Sequence, residues 1–239
     1  MRTQNLHPWD LTPREAIQLQ KRLRKRIQTT GRLSRRIRYI AGADISWDPA
    51  TKKGYAGVIV FSWPGLFEVD RASAQGPATF PYVPGLLSFR EGPLLLEAFQ
   101  RLKVEPDLIF FDGHGVAHPR RFGIASHLGL LLQKPSIGCA KSRLIGEFIM
   151  PRARRSAQSP LRHDGKIIGS VLRTRLNTQP IFISTGNRIR LVEAVKWALA
   201  CSDGTRIPKP TREADRWVDQ LRKTDLNVAM PSSPSYAVA

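Results

Sequence analysis

Short apolar stretches alternate along the chain with polar or proline-rich breaks, and the spacing of the apolar positions sets the expected elements. Residues 12–27 predict an amphipathic helix, because Ala16, Leu19, Leu23 and Ile27 fall on one stripe. Thr12 is its expected cap, Pro13 suits the first helical position, and Glu15 completes a capping box. Residues 37–47 predict a strand: Tyr39, Ala41, Ala43, Ile45 and Trp47 alternate with Ile40, Gly42, Asp44 and Ser46. Residues 55–63 and 66–73 follow as strands after the turns at 48–54 and Pro64-Gly65. Such short connections imply an antiparallel meander.

The pattern then changes. After a proline-rich loop at 80–85, residues 86–103 look helical but contain Gly92-Pro93. That predicts one short helix ending near Glu91 and another beginning at Pro93. Residues 108–111 predict a wholly apolar strand ending at Asp112, residues 122–133 a helix, and residues 135–140 a strand. The β-α-β-α-β order predicts parallel pairing. Residues 166–175 and 180–185 predict a hairpin, and residues 189–201 and 210–223 two helices. The Ser-, Pro- and Ala-rich stretch 230–239 predicts a disordered tail, and residues 1–229 read as one domain. A three-strand meander followed by α/β units is the strand order of the ribonuclease H-like fold. The expected class is therefore α/β, with a central mixed sheet flanked by helices.

Composition narrows the function. With 239 residues, 41% of them hydrophobic, the chain can bury a substantial core and is not a disordered polymer. It shows no apolar run of bilayer length and no signal-peptide core, so no membrane partner is expected and the cytoplasm is the default compartment. Lys and Arg number 38 against 19 Asp and Glu, a formal charge of +19. That field attracts polyanions, nucleic acid ahead of anionic membrane. It also fits an arginine-biased genome or a ribosome-associated protein, and it says nothing about catalysis. Lys21, Arg22, Arg24, Lys25 and Arg26 crowd the outer face of the first helix, either as a solvated surface or as a phosphate-facing arm. Cys139 and Cys201 fit neither a zinc pattern nor a disulfide framework and read as reduced core thiols.

In so basic a chain the placement of acids is informative. Asp44 lies near the end of the first strand, and Asp112 ends the apolar run Leu108-Ile109-Phe110-Phe111. An ionised carboxylate there is costly unless something positive pairs with it. Mg²⁺, with Mn²⁺ as a substitute, is a natural partner, since hard cations take oxygen ligands from one or two carboxylates and from substrate phosphate. If the first and fourth strands are neighbours, Asp44 and Asp112 face one another, and Glu91 reaches the same point from the helix end. Such a trio suits phosphodiester hydrolysis. Taken singly, each acid has a plainer reading: Asp44 as a turn cap, Asp112 as turn punctuation in Asp112-Gly113-His114-Gly115, Glu91 as an exposed helix residue. Lys141, after the fifth strand, can stabilise phosphoryl charge or stand simply as a surface lysine. His114 and His118 flank the Asp112 loop as candidate ligands, acids or phosphate donors.

Two long segments carry a resemblance. Phe80-Pro81-Tyr82-Val83-Pro84-Gly85-Leu86-Leu87-Ser88-Phe89-Arg90-Glu91-Gly92-Pro93 resembles a signature of the endonuclease V family, as does Asp112-Gly113-His114-Gly115-Val116-Ala117-His118-Pro119 with the residues after it. Gly138-Cys139-Ala140-Lys141-Ser142 and the stretch from Arg206 to Asp215 are similar too, and the matches keep the family's order over roughly residues 10–217. The resemblance implies a ribonuclease H-like fold and DNA carrying deoxyinosine as substrate. It implies cleavage at the second phosphodiester 3′ of the lesion, leaving 3′-hydroxyl and 5′-phosphate. It implies Asp44 and Asp112 as metal ligands, Glu91 as the third acidic residue, Lys141 as a catalytic lysine, and Asp215 as a further position close to the metal. It also implies a strand-separating wedge at Pro81-Tyr82-Val83-Pro84 with Tyr82 at its tip. Backbone groups of the Gly85-Leu86 and Gly113-His114-Gly115 loops are the expected means of selecting the base, and His118 is expected among the residues that contact DNA. A monomer is expected.

The chain departs from the family pattern in places. Asn187 stands where His is common, and is expected to cap the late helix. Lys209 replaces a usual acid and Trp47 a usual Tyr or Phe. Cleavage of inosine-containing RNA, non-catalytic nucleic-acid binding and junction cleavage stay open as other readings.

Overall fold

Residues 1–30, 33 and 36–229 are described by a computed structural model. The capping box forms as expected. Glu15 donates its N–H to Thr12 Oγ1, and Thr12 donates its own N–H to Glu15 Oε2 at 2.8 Å. Helix α1 spans Pro13–Leu23, burying Ala16, Leu19 and Leu23. It tightens into a 3₁₀ turn at Arg24–Arg26, short of the expected end.

The meander follows as β1 (Tyr39–Trp47), β2 (Lys53–Ser62) and β3 (Glu68–Pro77), with β2 antiparallel to both neighbours. After helix α2 (Leu87–Arg101) come β4 (Leu108–Asp112), α3 (Ile124–Leu131) and β5 (Ser136–Ala140). Strand β4 pairs in parallel with β1 and with β5. Strands β6 (Gln158–His163), β7 (Lys166–Leu172) and β8 (Ile181–Asn187) extend the sheet antiparallel, before α4 (Leu191–Ala200) and α5 (Lys209–Ala229). The resulting sheet has eight strands in the order β3-β2-β1-β4-β5-β8-β7-β6. This is the ribonuclease H-like arrangement.

Strand alternation divides the core between the two faces. Ala41, Ala43, Ile109 and Phe111 pack against Leu95, Ala98 and Phe99 of α2 and Leu128 of α3. Ile40, Leu108, Phe110 and Ile137 turn to the other face, where Ala194 and Val195 of α4 and Trp217 of α5 cover them.

Three expectations are corrected. Helix α2 is continuous through Pro93 rather than broken before it. Pro93 forgoes one backbone bond, but Gly92 has no Cβ to clash with the proline ring, so the preceding residue stays helical. Trp9 fills that space, and its ring would lie 2.6 Å from a Cβ at position 92. The interior proline costs about 3 kcal/mol, which the burial of Leu95 and Phe99, at roughly 1.5–3 kcal/mol each, offsets.

The second correction concerns Asn187. It ends β8 and does not cap the helix; the N-cap of α4 is Arg190, paired with Glu193. The Asn187 side chain is committed elsewhere, donating from Nδ2 to Gly129 O and accepting from Gln28 N, both at 3.0 Å. Third, β6 is a strand the pattern did not predict. It is an edge strand, where Pro160 costs no ladder bond. The expected tail at 230–239 lies outside the described residues. Among those residues, no helix is long and apolar enough to cross a membrane.

Candidate metal and nucleic-acid site

Parallel pairing of β1 and β4 sets Ala43 opposite Phe111, so the next residues, Asp44 and Asp112, sit side by side at the same end of the sheet. Both belong to the strand face that α5 covers. Gly42 allows the start of α5 to approach that face, since a Cβ there would lie 1.9 Å from Pro210 O. The close approach brings in Asp215, one and a half turns along the helix. Oxygens of Asp44, Asp112 and Asp215 all lie within 4.8 Å of one another. Lys141, just beyond β5, reaches back with Nζ 2.8 Å from Asp112 Oδ2 and 3.0 Å from Asp215 Oδ1.

The electrostatics follow from this crowding. Burial, reinforced by Asp112, Glu91 and Asp215, pushes the Asp44 carboxyl well above the usual range, against a 2.8 Å hydrogen bond from Ile45 N–H. Burial also raises Asp112, although Lys141 opposes it. Burial alone would lower Lys141, but the facing Asp112 and Asp215 more than offset it, so its ammonium stays charged. Glu91 arrives from α2, on the opposite layer, and is buried. Desolvation pushes it up to about 8, with the nearby Trp47 and Arg90 working the other way. The buried Trp47 indole N–H faces Glu91 without closing a full hydrogen bond to it.

The three carboxylates crowd together with too little positive charge, which raises Asp44 and Asp112, and Lys141 supplies only part of what is missing. Their donor set is oxygen alone, which fits a hard divalent cation and not zinc or copper. Cys139 pairs with Asp112 across the strands, but burial holds its thiol up at about 12, so it offers no thiolate.

Beside the carboxylates lies a cavity of about 280 Å³. Tyr82, Gly85, Ser88, Gly113, His114 and Ile124 are among the residues that line it. Gly113 directly follows Asp112, so the cavity and the carboxylates share one loop. Tyr82 stands at its mouth, 73% exposed, on the stiff Pro81–Pro84 segment whose neighbour Phe80 is buried. A larger surface cleft of about 890 Å³, near Met1, Asp107 and Arg188, contains none of these residues.

His118 is not directed at the carboxylates. Its Nδ1 accepts from Arg120 N–H at 3.1 Å, so Nε2 carries the proton and donates to Gly85 O at 2.9 Å. Burial lowers it to about 4, and it acts as a neutral prop for the Gly85 loop. Burial likewise lowers His114 to about 4, and its Nδ1 has no hydrogen-bond partner. Sequence reasoning assigned nothing to His7, His127 or Ser88, which form a buried hydrogen-bonded chain reaching the cavity. No spacing rule connects residues so far apart. The only sequence signal is that two of these three polar residues, Ser88 and His127, fall on otherwise apolar helix faces.

The family model described as Endonuclease V matches residues 21–216. The endonuclease V of Dehalococcoides mccartyi is 48% identical over 214 residues, covering 90% of this chain and 96% of that protein. The crystal structure of the Streptomyces avermitilis endonuclease V superposes with a TM-score of 0.87 at 37% identity, covering 95% of this chain and all of that one. The Ciona intestinalis endonuclease V was crystallised with a 24mer DNA containing an inosine followed by a ribo-adenosine. It superposes with a TM-score of 0.77 at 25% identity, over 89% of this chain and 98% of that one.

Proposed function

The chain belongs to the endonuclease V family, and from that premise we propose that it is a DNA repair endonuclease directed at deoxyinosine. It hydrolyses the second phosphodiester 3′ of the lesion with Mg²⁺, leaving 3′-hydroxyl and 5′-phosphate. The observation that carries this reading is the meeting of Asp44, Asp112 and Asp215 beside a base-sized cavity. The relative bound to inosine-containing DNA supports the choice of lesion.

The roles follow from position. Asp44, Asp112 and Asp215 would hold the cation. When bound, it polarises the scissile phosphate and lowers the pKa of the attacking water. Lys141 brings a fixed positive charge to the oxygens that gain charge as the bond breaks. Glu91 keeps its proton near neutrality in the metal-free protein and sits beside both Asp44 and Asp112, placed to exchange that proton with the site. Tyr82 enters the duplex where the lesion leaves it. Unstacking costs a few kcal/mol, and less at a damaged base. The segment carrying Tyr82 is stiffened by two prolines and loses little entropy on insertion. The freed base enters the cavity between the Gly85 and Gly113 loops, and the surrounding positive field draws in the backbone.

An end-labelled duplex with one deoxyinosine tests this. A Mg²⁺-dependent nick at the second 3′ phosphodiester, retained with Mn²⁺ and absent with adenine in place of hypoxanthine, is the expected result. Binding without a nick would favour a non-catalytic role. A matched RNA strand separates the ribonuclease reading, and an intact junction the junction-cleaving one.

A further inference from the structure

A buried chain of hydrogen bonds runs from the N-terminal segment to the cavity wall. His7 Nδ1 lies 2.7 Å from Pro8 O, His7 Nε2 lies 2.7 Å from His127 Nε2, and His127 Nδ1 lies 2.9 Å from Ser88 Oγ. All three side chains are buried, His127 fully. Ser88 lines the cavity; neither histidine does.

The proton positions along this chain are forced. A carbonyl oxygen only accepts, so His7 Nδ1 carries hydrogen. A neutral His7 then presents a lone pair at Nε2, and His127 must donate from its own Nε2. That leaves a lone pair on His127 Nδ1, and Ser88 must donate its hydroxyl proton to it. Burial depresses both imidazoles, His127 strongly, which keeps the chain neutral at ordinary pH. The Ser88 proton is thereby committed to His127, and its oxygen has only lone pairs left for a partner in the cavity that Ser88 lines.

We infer that Ser88 is a specificity-determining residue, fixed by His127 and His7 as a pure acceptor that selects a purine whose N1 carries hydrogen. This rests on the base-recognition reading above. Hypoxanthine bears N1–H and can donate to Ser88. Adenine presents a bare N1 lone pair, and two lone pairs facing each other in a buried site repel. A free serine hydroxyl would rotate and serve either base; the histidine pair removes that freedom. Guanine also carries N1–H, so its rejection falls to whatever meets its 2-amino group. His127 and His7 are positioning residues, since neither touches the cavity.

The test is binding, measured by fluorescence anisotropy without divalent metal, on strands carrying hypoxanthine, adenine or guanine at one position. Wild type is expected to prefer hypoxanthine over adenine. Ser88→Ala should weaken hypoxanthine binding and cut that preference about tenfold, the value of one hydrogen bond to a buried acceptor. His7→Phe keeps the ring beside Trp9 and Phe89 but releases the proton order. It should lower the preference chiefly by raising adenine affinity. Thermal melting accompanies each variant, with Ser88→Thr as the conservative control that should retain preference. Equal loss on all three bases, or an unchanged ratio in Ser88→Ala and His7→Phe, overturns the inference. A wild type that prefers hypoxanthine but never nicks overturns the catalytic proposal alone. A wild type with no preference overturns both.

Discussion

Lys141 Nζ lies 2.8 Å from Asp112 Oδ2, an ammonium drawn into the middle of the acidic cluster. It reaches Asp215 as well, at 3.0 Å. The lysine therefore partly neutralises the carboxylates that are to hold the cation. Removing it has two opposite consequences. Lys141→Ala should slow cleavage of an inosine strand by about 10²-fold, the usual loss of one fixed transition-state donor. The same variant should bind Mn²⁺ more tightly, because the carboxylates lose their only close counter-charge among the described residues. Single-turnover rates and a metal titration read the two effects separately.

Asp44 is raised because burial and three nearby acids oppose its charge. Asp44→Asn removes one of those charges. Cleavage should fall by roughly 10³-fold or more, since several kcal/mol of transition-state stabilisation goes with the cation. The metal-free protein should not lose stability. Relief of that burial and repulsion should raise Tm, by roughly 2–4 °C for each kcal/mol relieved in a chain of this size. A lowered Tm would assign Asp44 a structural role.

Gly42 governs how closely α5 meets β1. A methyl group there would lie 1.9 Å from Pro210 O. Gly42→Ala should cost about 1–3 kcal/mol of stability, as overpacking does. It should also weaken metal binding by moving Asp215 away from Asp44 and Asp112. Unchanged metal affinity with reduced Tm would exclude Asp215 from the ligand set.

Tyr82 is exposed and buries little of its own ring. Tyr82→Ala should leave the unfolding free energy within about 0.5 kcal/mol of wild type. It should reduce preference for the lesion about tenfold through lost base stacking, while affinity for undamaged duplex stays the same. Equal losses on both substrates would remove the wedge.

The pH dependence of the metal-free protein has a definite sign. Glu91 titrates at about 8 when folded against 4.5 in a free chain, so the folded state holds an extra proton between those values. Its contribution is complete below 4.5 and is lost as pH rises through 8. His114 and His118 work the other way: at about 4 when folded against 6.5 free, they destabilise the fold as pH falls below 6.5. Between pH 6.5 and 8 the carboxylate effect stands clear. Tm should decline across that window, and Glu91→Gln should flatten the decline. An unchanged slope would mean that Glu91 is ionised in the folded protein.

Much of this was legible in the residues themselves. The run Leu108–Phe111 ending at Asp112, and the alternation that turns Asp44 to the face away from Ala43, define two strands whose pairing makes a site. Local pattern could not place Asp215, because its position depends on how closely a glycine lets a distant helix approach. Family resemblance alone pointed to it. Pro93 misled because Gly92-Pro93 has the pattern of a doubled helix break, whereas the missing Cβ at Gly92 spares the clash with the proline ring and leaves room for the Trp9 ring. Strand β6 stayed hidden because Pro160 argues against a strand except at an edge, and edges are a property of the whole sheet. The His7–His127–Ser88 chain joins segments up to 120 residues apart, and only the packed fold brings them together.

The central claim is that Asp44, Asp112 and Asp215 together hold a divalent cation. Its most direct test is Mn²⁺ binding, followed by electron paramagnetic resonance, to the protein carrying an inosine strand, in wild type and in Asp112→Asn. Saturable binding in wild type that weakens by more than tenfold in Asp112→Asn, with Tm preserved, is the predicted result. Equal binding by the two proteins would contradict it.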